Sequence, residues 1–164
     1  MGRRGLAPLM SRPLRVGEEA PPFRAPDATG RTWTLDDLRG RAFVLYFYPK
    51  DETPGCIVEA CAYRDAWEDF QDARVLVIGV SRDDLESHRR FVEHRKLPFA
   101  LLSDGSGRMH DDYGATMLGG LPRRVSYLVG PDGRVAAAFD SHLRPEAHAM
   151  KMLAAARELG YARA

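Results

Sequence analysis

The chain has 164 residues, of which 45% are apolar and 29% charged, and its formal net charge is +1. That is one domain's worth of chain with enough apolar side chains for a core, and the near-neutral balance supplies no global field for nucleic acid or an anionic membrane. No apolar run approaches the ~20 residues of a membrane span, and two cysteines are too few for a secreted disulfide scaffold.

Met1 to Pro13 carries basic residues but no continuous apolar stretch, so no secretory signal is expected. Residues 1–15 are expected to be a disordered extension, the loose arm reaching to about 19, with 16–164 a single folded domain. The low cysteine count fits a reducing compartment, taken here as the cytoplasm.

Phe23 to Leu35 reads as two short strands around a turn at Asp27-Ala28-Thr29-Gly30, and Thr34 to Gly40 as one helical turn stopped by glycine. Ala42 to Tyr48 is a continuous apolar run, the signature of a strand buried on both faces. After a short polar connection, a helix should begin near Pro54 and continue through Tyr63, Trp67 and Phe70 at helical spacing. Arg74 to Val80 is a second buried strand, and Asp83 to Lys96 a helix with acids at its start and bases at its end, as the helix dipole prefers. Phe99 to Leu102 reads as a strand and Ser106 to Tyr113 as a short helix ended by Gly114. Val125 to Val129 and Val135 to Phe139 make a hairpin about the turn Pro131-Asp132-Gly133-Arg134. Arg144 to Leu159 closes the chain as a helix with Ala147, Met150, Leu153 and Ala154 on one face. Strands alternating with helices, then a hairpin and a last helix, predict an α/β sandwich of thioredoxin-like fold, a mixed central sheet with helices on both faces.

The chemistry concentrates where strand 42–48 gives way to the next helix. Thr53 suits the cap and Pro54 the first helical position. Cys56 then sits at about the third position, beside unsatisfied N–H groups and the positive end of the dipole, a place that favours the nucleophilic thiolate. Cys61, five residues on, is about 8–9 Å away between Cα atoms on an intact helix, beyond the ~7 Å a disulfide spans. The two sulfurs can bond only if the first turns unwind, which suits a cycle rather than a permanent staple. Spacing by itself leaves Cys61 equally readable as a core residue.

The string Tyr46-Phe47-Tyr48-Pro49-Lys50-Asp51-Glu52-Thr53-Pro54-Gly55-Cys56, followed by Glu59-Ala60-Cys61, closely resembles the peroxiredoxin Q branch of the peroxiredoxins, also called bacterioferritin comigratory protein. Pro49, Thr53 and Cys56 match the peroxiredoxin signature, and the Cys-x4-Cys spacing matches this branch. Ile78-Gly79-Val80-Ser81, Leu97-Pro98-Phe99, Leu102-Ser103-Asp104 and Pro131-Asp132-Gly133 extend the likeness, which covers about Val16 to Gly160. Ile57 departs from it, standing where a small polar residue is usual, and the segment from Gly105 to Asp112 has its own sequence.

The resemblance implies a thiol peroxidase for hydrogen peroxide and organic hydroperoxides. Cys56 would become a sulfenic acid, Cys61 would resolve it as an intramolecular disulfide, and thioredoxin or glutaredoxin would reduce that disulfide. It also assigns Thr53 to orient the substrate, Gly55 and Cys56 to bind the peroxide through their N–H groups, Pro49 to shield the sulfur, and an arginine before the strand 125–129 to act as the active-site cation. Arg124 is the expected one, with Arg123 as its neighbour and competitor. No organic cofactor or metal is expected, since His88, His94, His110, His142 and His148 form no ligand pattern with the cysteines. The expected partners are a peroxide and a dithiol reductant, without nucleic acid or membrane. An internal disulfide needs no second subunit, so the chain is expected to be a monomer. A peroxide sensor or thiol relay without efficient turnover is the alternative; a general disulfide oxidoreductase would carry Cys-x-x-Cys, which is absent.

Overall fold

The computed structural model describes residues 11–161. A small antiparallel hairpin, β1 (Arg24–Pro26) and β2 (Thr32–Thr34), precedes the main sheet. That sheet is built from β3 (Ala42–Phe47), β4 (Val75–Ser81), β5 (Ala100–Ser103), β6 (Val125–Val129) and β7 (Val135–Asp140) in the order β5-β4-β3-β6-β7. β3 pairs parallel with β4 and antiparallel with β6, so the sheet is mixed as expected, and all six residues of β3 are buried.

Alternation along β3 builds two cores. Val44, Tyr46 and Tyr48 face α1 (Pro54–Asp65), α2 (Trp67–Asp72), α3 (Leu85–Arg95) and α5 (Ala147–Leu159) through Ala60, Tyr63, Phe70, Phe91 and Met152. Phe43, Leu45 and Phe47 face the other way, onto Met109 and Tyr113 near α4 (Arg108–Asp112), Leu38 of a 3-10 turn, and Phe23 and Ala25 of the hairpin region. Helices therefore lie on both faces, but the second face relies on one short helix and irregular chain.

Three expectations change. The expected single helix through Phe70 is two, broken at Ala66 (φ −94°, ψ 6°) without proline or glycine. The bend sets Trp67 against Phe99, with ring centroids 6.1 Å apart, while Phe70 stays on Tyr63 at 5.8 Å. In α5 the buried residues are Ala147, His148, Ala149, Met152, Leu153 and Ala156, so Ala147 and Leu153 of the expected face are inside while Met150 (73% exposed) and Ala154 face solvent. Runs of alanine around a few larger residues fit two helical faces equally well, and packing chose between them.

Residues 11–19 are not a loose arm. The Ser11 N–H donates to the Thr116 carbonyl at 2.9 Å, the Gly17 N–H to Val135 at 2.8 Å, and the Leu14 N–H to the Tyr127 hydroxyl at 3.0 Å. Gly114 makes this docking possible: it has φ +67°, and a Cβ there would lie 2.0 Å from the Arg12 carbonyl oxygen. These pairings join residues about a hundred positions apart and leave no local sequence signal. Residues 1–10 of the expected extension lie outside the described residues.

Candidate active site

Thr53 occupies the N-cap of α1 with extended backbone (φ −85°, ψ 152°), but its side chain does not cap the helix. Its hydroxyl instead donates to the Lys50 carbonyl at 2.9 Å, across the turn of the 49–53 loop. Pro54 has no N–H to offer, and among the described residues the N–H groups of Gly55 and Cys56 have no hydrogen-bond partner. The first helical turn thus leaves two donors beside the sulfur. With its only proton committed to Lys50, the Thr53 hydroxyl keeps lone pairs that can accept one.

Cys56 is 1% exposed and Cys61 half-buried; both are free thiols on the intact α1, so the helical separation that forbids a bond applies as the protein stands. Pro49 is half-buried at the head of the loop that carries Thr53. The choice between the two arginines is decided by direction. Arg124, 4% exposed, turns inward and places Nη2 3.6 Å from the Cys56 sulfur, while Nη1 donates to Glu59 Oε1 at 2.7 Å. Arg123 turns outward to Asp140 (3.1 Å) and the Ser11 carbonyl (3.1 Å). Gly55 keeps the guanidinium's place open, because a Cβ there would come within 3.0 Å of Arg124 Nη2.

Several residues behind this site were not singled out from sequence. Glu59, fully buried, is three residues after Cys56 and so lies on the same side of α1, a spacing that does flag it. His148, fully buried on α5, reaches the same spot with no sequence signal. Its Nδ1 is 2.9 Å from Ser126 Oγ and 3.3 Å from Glu59 Oε2, and its Nε2 is 2.8 Å from the Ser141 carbonyl. The Tyr63 hydroxyl donates to Ser126 Oγ at 2.7 Å. Burial pushes the Glu59 carboxyl up to about 8, the Arg124 charge and hydrogen bond pulling back only in part. Burial likewise pushes His148 down to about 4, against the Ser141 hydrogen bond. The Glu59–His148 approach is therefore not an ordinary ion pair.

A second buried pair anchors the loop from the other side. His88 Nδ1 lies 2.6 Å from Asp51 Oδ2 and its Nε2 lies 2.9 Å from the Leu102 carbonyl. A carboxylate and a carbonyl both accept, a pair of partners that suits the imidazolium form of His88. Burial alone would lower its pKa, but the Asp51 hydrogen bond and charge outweigh it and the net direction is up. Asp51 also accepts from the Tyr48 hydroxyl at 2.6 Å, tying the 49–53 loop to β3 and α3. No group of three or more metal-ligating side chains occurs among the described residues. A cleft of about 510 Å³ lined by Trp67, Arg74 and Tyr161 lies at the N-terminal ends of β3 and β4, away from the cysteines.

A thiol at a helix start, facing a buried arginine on a mixed five-stranded sheet, defines the class of thioredoxin-fold thiol proteins. A profile of the AhpC/TSA family matches residues 16–138, and the chain belongs to that family, in its peroxiredoxin Q branch. It is 43% identical over 134 residues to a peroxiredoxin Q, chloroplastic, of Oryza sativa subsp. japonica, covering 80% of this chain and 62% of that protein. It is 41% identical over 134 residues to the peroxiredoxin Q, chloroplastic, of Sedum lineare, covering 80% and 72%. The chain thus spans less than two thirds of the rice relative's length. Among solved structures, peroxidoxin BcpB from Mycobacterium tuberculosis superposes with a TM-score of 0.83 at 33% identity, over 89% of this chain and 98% of that one. A Xanthomonas campestris bacterioferritin comigratory protein, whose structures concern alkyl peroxide reduction, gives 0.78 at 30% identity over 84% and 92%. These likenesses establish the thioredoxin-like fold expected from the order of elements.

Proposed function

We propose that the protein is a thiol peroxidase that reduces hydrogen peroxide and organic hydroperoxides, with Cys56 as nucleophile and Cys61 as resolving thiol. The observation that carries this reading is the Cys56 sulfur at the start of α1, 3.6 Å from the buried Arg124 guanidinium. A peroxide entering over this turn finds N–H donors from Gly55 and Cys56 and a hydroxyl acceptor on Thr53. Donors aimed at developing charge are the usual large term in lowering a barrier. The Cys56 thiolate attacks the terminal oxygen, an S–O bond forms, and the O–O bond breaks. The departing alkoxide or hydroxide takes a proton and leaves as alcohol or water. Sulfur is oxidised to sulfenic acid, its hydrogen being the one already on the attacked oxygen. Pro49, at the head of the loop, shields the sulfur from competing water.

Unwinding of the first turns of α1 then brings the Cys61 thiol to the sulfenic acid, forming the disulfide and releasing water. A thioredoxin-type dithiol, or a glutaredoxin, restores both thiols. Both cysteines lie on one helix, so a monomer suffices, and the need for a dithiol suits a reducing compartment such as the cytoplasm. The likeness to the Xanthomonas campestris relative supports organic hydroperoxides as substrates beside hydrogen peroxide.

The test is peroxide consumption with a thioredoxin system by the wild type, Cys56→Ser and Cys61→Ser, with sulfenic acid followed by mass spectrometry. Sustained turnover by the wild type, none by Cys56→Ser, and one oxidation event with trapped sulfenic acid in Cys61→Ser are expected. Oxidation of the wild type without turnover, with a thioredoxin system and then with a glutaredoxin system, would make the protein a sensor or relay.

A further inference from the structure

The hydrogen bonds behind Arg124 leave one oxygen of Glu59 without a donor. His148 Nε2 faces the Ser141 carbonyl at 2.8 Å, an acceptor only, so Nε2 carries a proton. Ser126 Oγ receives the Tyr63 proton at 2.7 Å and pairs with His148 Nδ1 at 2.9 Å. Burial holds the imidazole to that single proton, so Nδ1 is the unprotonated nitrogen, and it also faces Glu59 Oε2 at 3.3 Å. Glu59 Oε2 is buried and has no hydrogen-bond donor among the described residues. An ionised oxygen there would sit without a donor, opposite a lone pair, and a buried acceptor left so is disfavoured, most of all when charged. A proton on Oε2 turns the same approach into a donor facing an acceptor.

We propose that Glu59 is a neutral acid, its proton on Oε2 facing His148 Nδ1, and that this leaves the Arg124 charge to the Cys56 thiolate. The inference rests on the peroxidase reading above. Arg124 has two candidate anions, the carboxylate at 2.7 Å and the sulfur at 3.6 Å. With Glu59 neutral, the guanidinium still donates to Oε1, which fixes its direction, but its unit charge is opposed by the thiolate alone. With Glu59 ionised, thiolate formation would place a second negative charge against one cation. Glu59 and His148 are thus positioning residues: neither meets the peroxide, and together they set the electrostatics of the group that does.

The groups facing the pair are few. From α1 these are Cys56 and Tyr63; Arg124 comes from just before β6 and Ser126 from within it; and β3 contributes Tyr46, whose buried hydroxyl has no partner among the described residues. On the His148 side the nearby charges are Asp140 and Glu146. The directions found for the two groups, burial holding the carboxyl neutral and stripping the imidazole of its second proton, agree with these hydrogen bonds. Two groups coupled this closely titrate as a pair.

The direct test is the infrared spectrum of the reduced protein near neutral pH, as a difference between wild type and Glu59→Gln. A protonated-carboxyl stretch present in the wild type and lost in the variant is expected; a carboxylate band in its place overturns the proposal. The functional test is the rate of peroxide-driven Cys56 oxidation across pH in wild type, His148→Gln, Glu59→Gln and the double variant. In His148→Gln the side-chain amide can donate to Oε2 and favour the carboxylate, so the acid limb of the profile should move up by about one pH unit, about tenfold in rate below it. In the Glu59→Gln background the same substitution should leave the limb where Glu59→Gln alone puts it. A loss that is uniform over pH and equal in both backgrounds would reduce His148 to a packing residue. A wild type that consumes no peroxide at any pH would overturn the peroxidase reading instead, whatever the infrared result.

Discussion

Replacing Arg124 tests how far the site depends on one cation. At 3.6 Å, a unit charge pair at an effective dielectric constant of about 20 interacts by about 4–5 kcal/mol. Water admitted to the emptied position would restore roughly half of that, so Arg124→Met should lose between about 2 and 4 kcal/mol of thiolate and transition-state stabilisation. In rate this is about thirtyfold to a thousandfold. Arg124→Lys keeps the charge but not the fork. One ammonium cannot meet Glu59 Oε1 at 2.7 Å and the sulfur at 3.6 Å from the guanidinium's two positions, so it should settle on one and recover only part of the loss.

The assay is the second-order rate of Cys56 oxidation by hydrogen peroxide under single turnover, followed by intrinsic fluorescence, with circular dichroism melts of each variant as a folding control. The ordering expected is wild type, then lysine, then methionine. Retention of wild-type rates by Arg124→Met, in a protein that still folds, would show that the helix start alone activates the thiol and would refute the electrostatic argument.

Other predictions rest on other parts of the site. Thr53→Val should melt within about 0.5 kcal/mol of wild type, since the hydroxyl caps nothing, yet lose most peroxidase activity; unimpaired turnover would confine the hydroxyl to its Lys50 bond. Gly79→Ala should destabilise by about 1–3 kcal/mol in denaturant melts, because its Cβ would fall 2.7 Å from Leu101 Cδ2 and 2.9 Å from Tyr46 Cζ; a wild-type midpoint would mean the Tyr46 wall can move aside. His88, with its folded pKa raised, stabilises the loop anchor fully below its unfolded value of about 6.5 and loses that contribution as pH rises through the folded value. Stability of the wild type should therefore fall on that rise, and His88→Gln should flatten the fall; identical slopes would exclude the Asp51 pair as its source.

Much of this protein was legible in order and local pattern. The apolar run 42–47 could only be a strand buried on both faces, and Thr53, Pro54 and Cys56 fixed where the next helix starts, because caps and first-turn prolines act within a few residues. Five-residue spacing on one helix likewise set the two cysteines too far apart to bond without unwinding. Where the pattern was degenerate it misled: in α5, alanines fit either face, and Met150 was placed inside where Met152 lies. The Thr53 cap also failed: the residue holds the N-cap position, but its hydroxyl donates to the Lys50 carbonyl and accepts no helix N–H.

The sequence by itself determined the element order and the helical address of the candidate nucleophile, because each depends on contacts within a few residues. Only the tertiary structure decided which of two adjacent arginines turns inward, that residues 11–19 dock against Thr116 and Val135, and that His148 meets Glu59 from the far end of the chain. Those outcomes depend on partners about a hundred residues apart brought together by strand pairing and core packing, and no local periodicity records them.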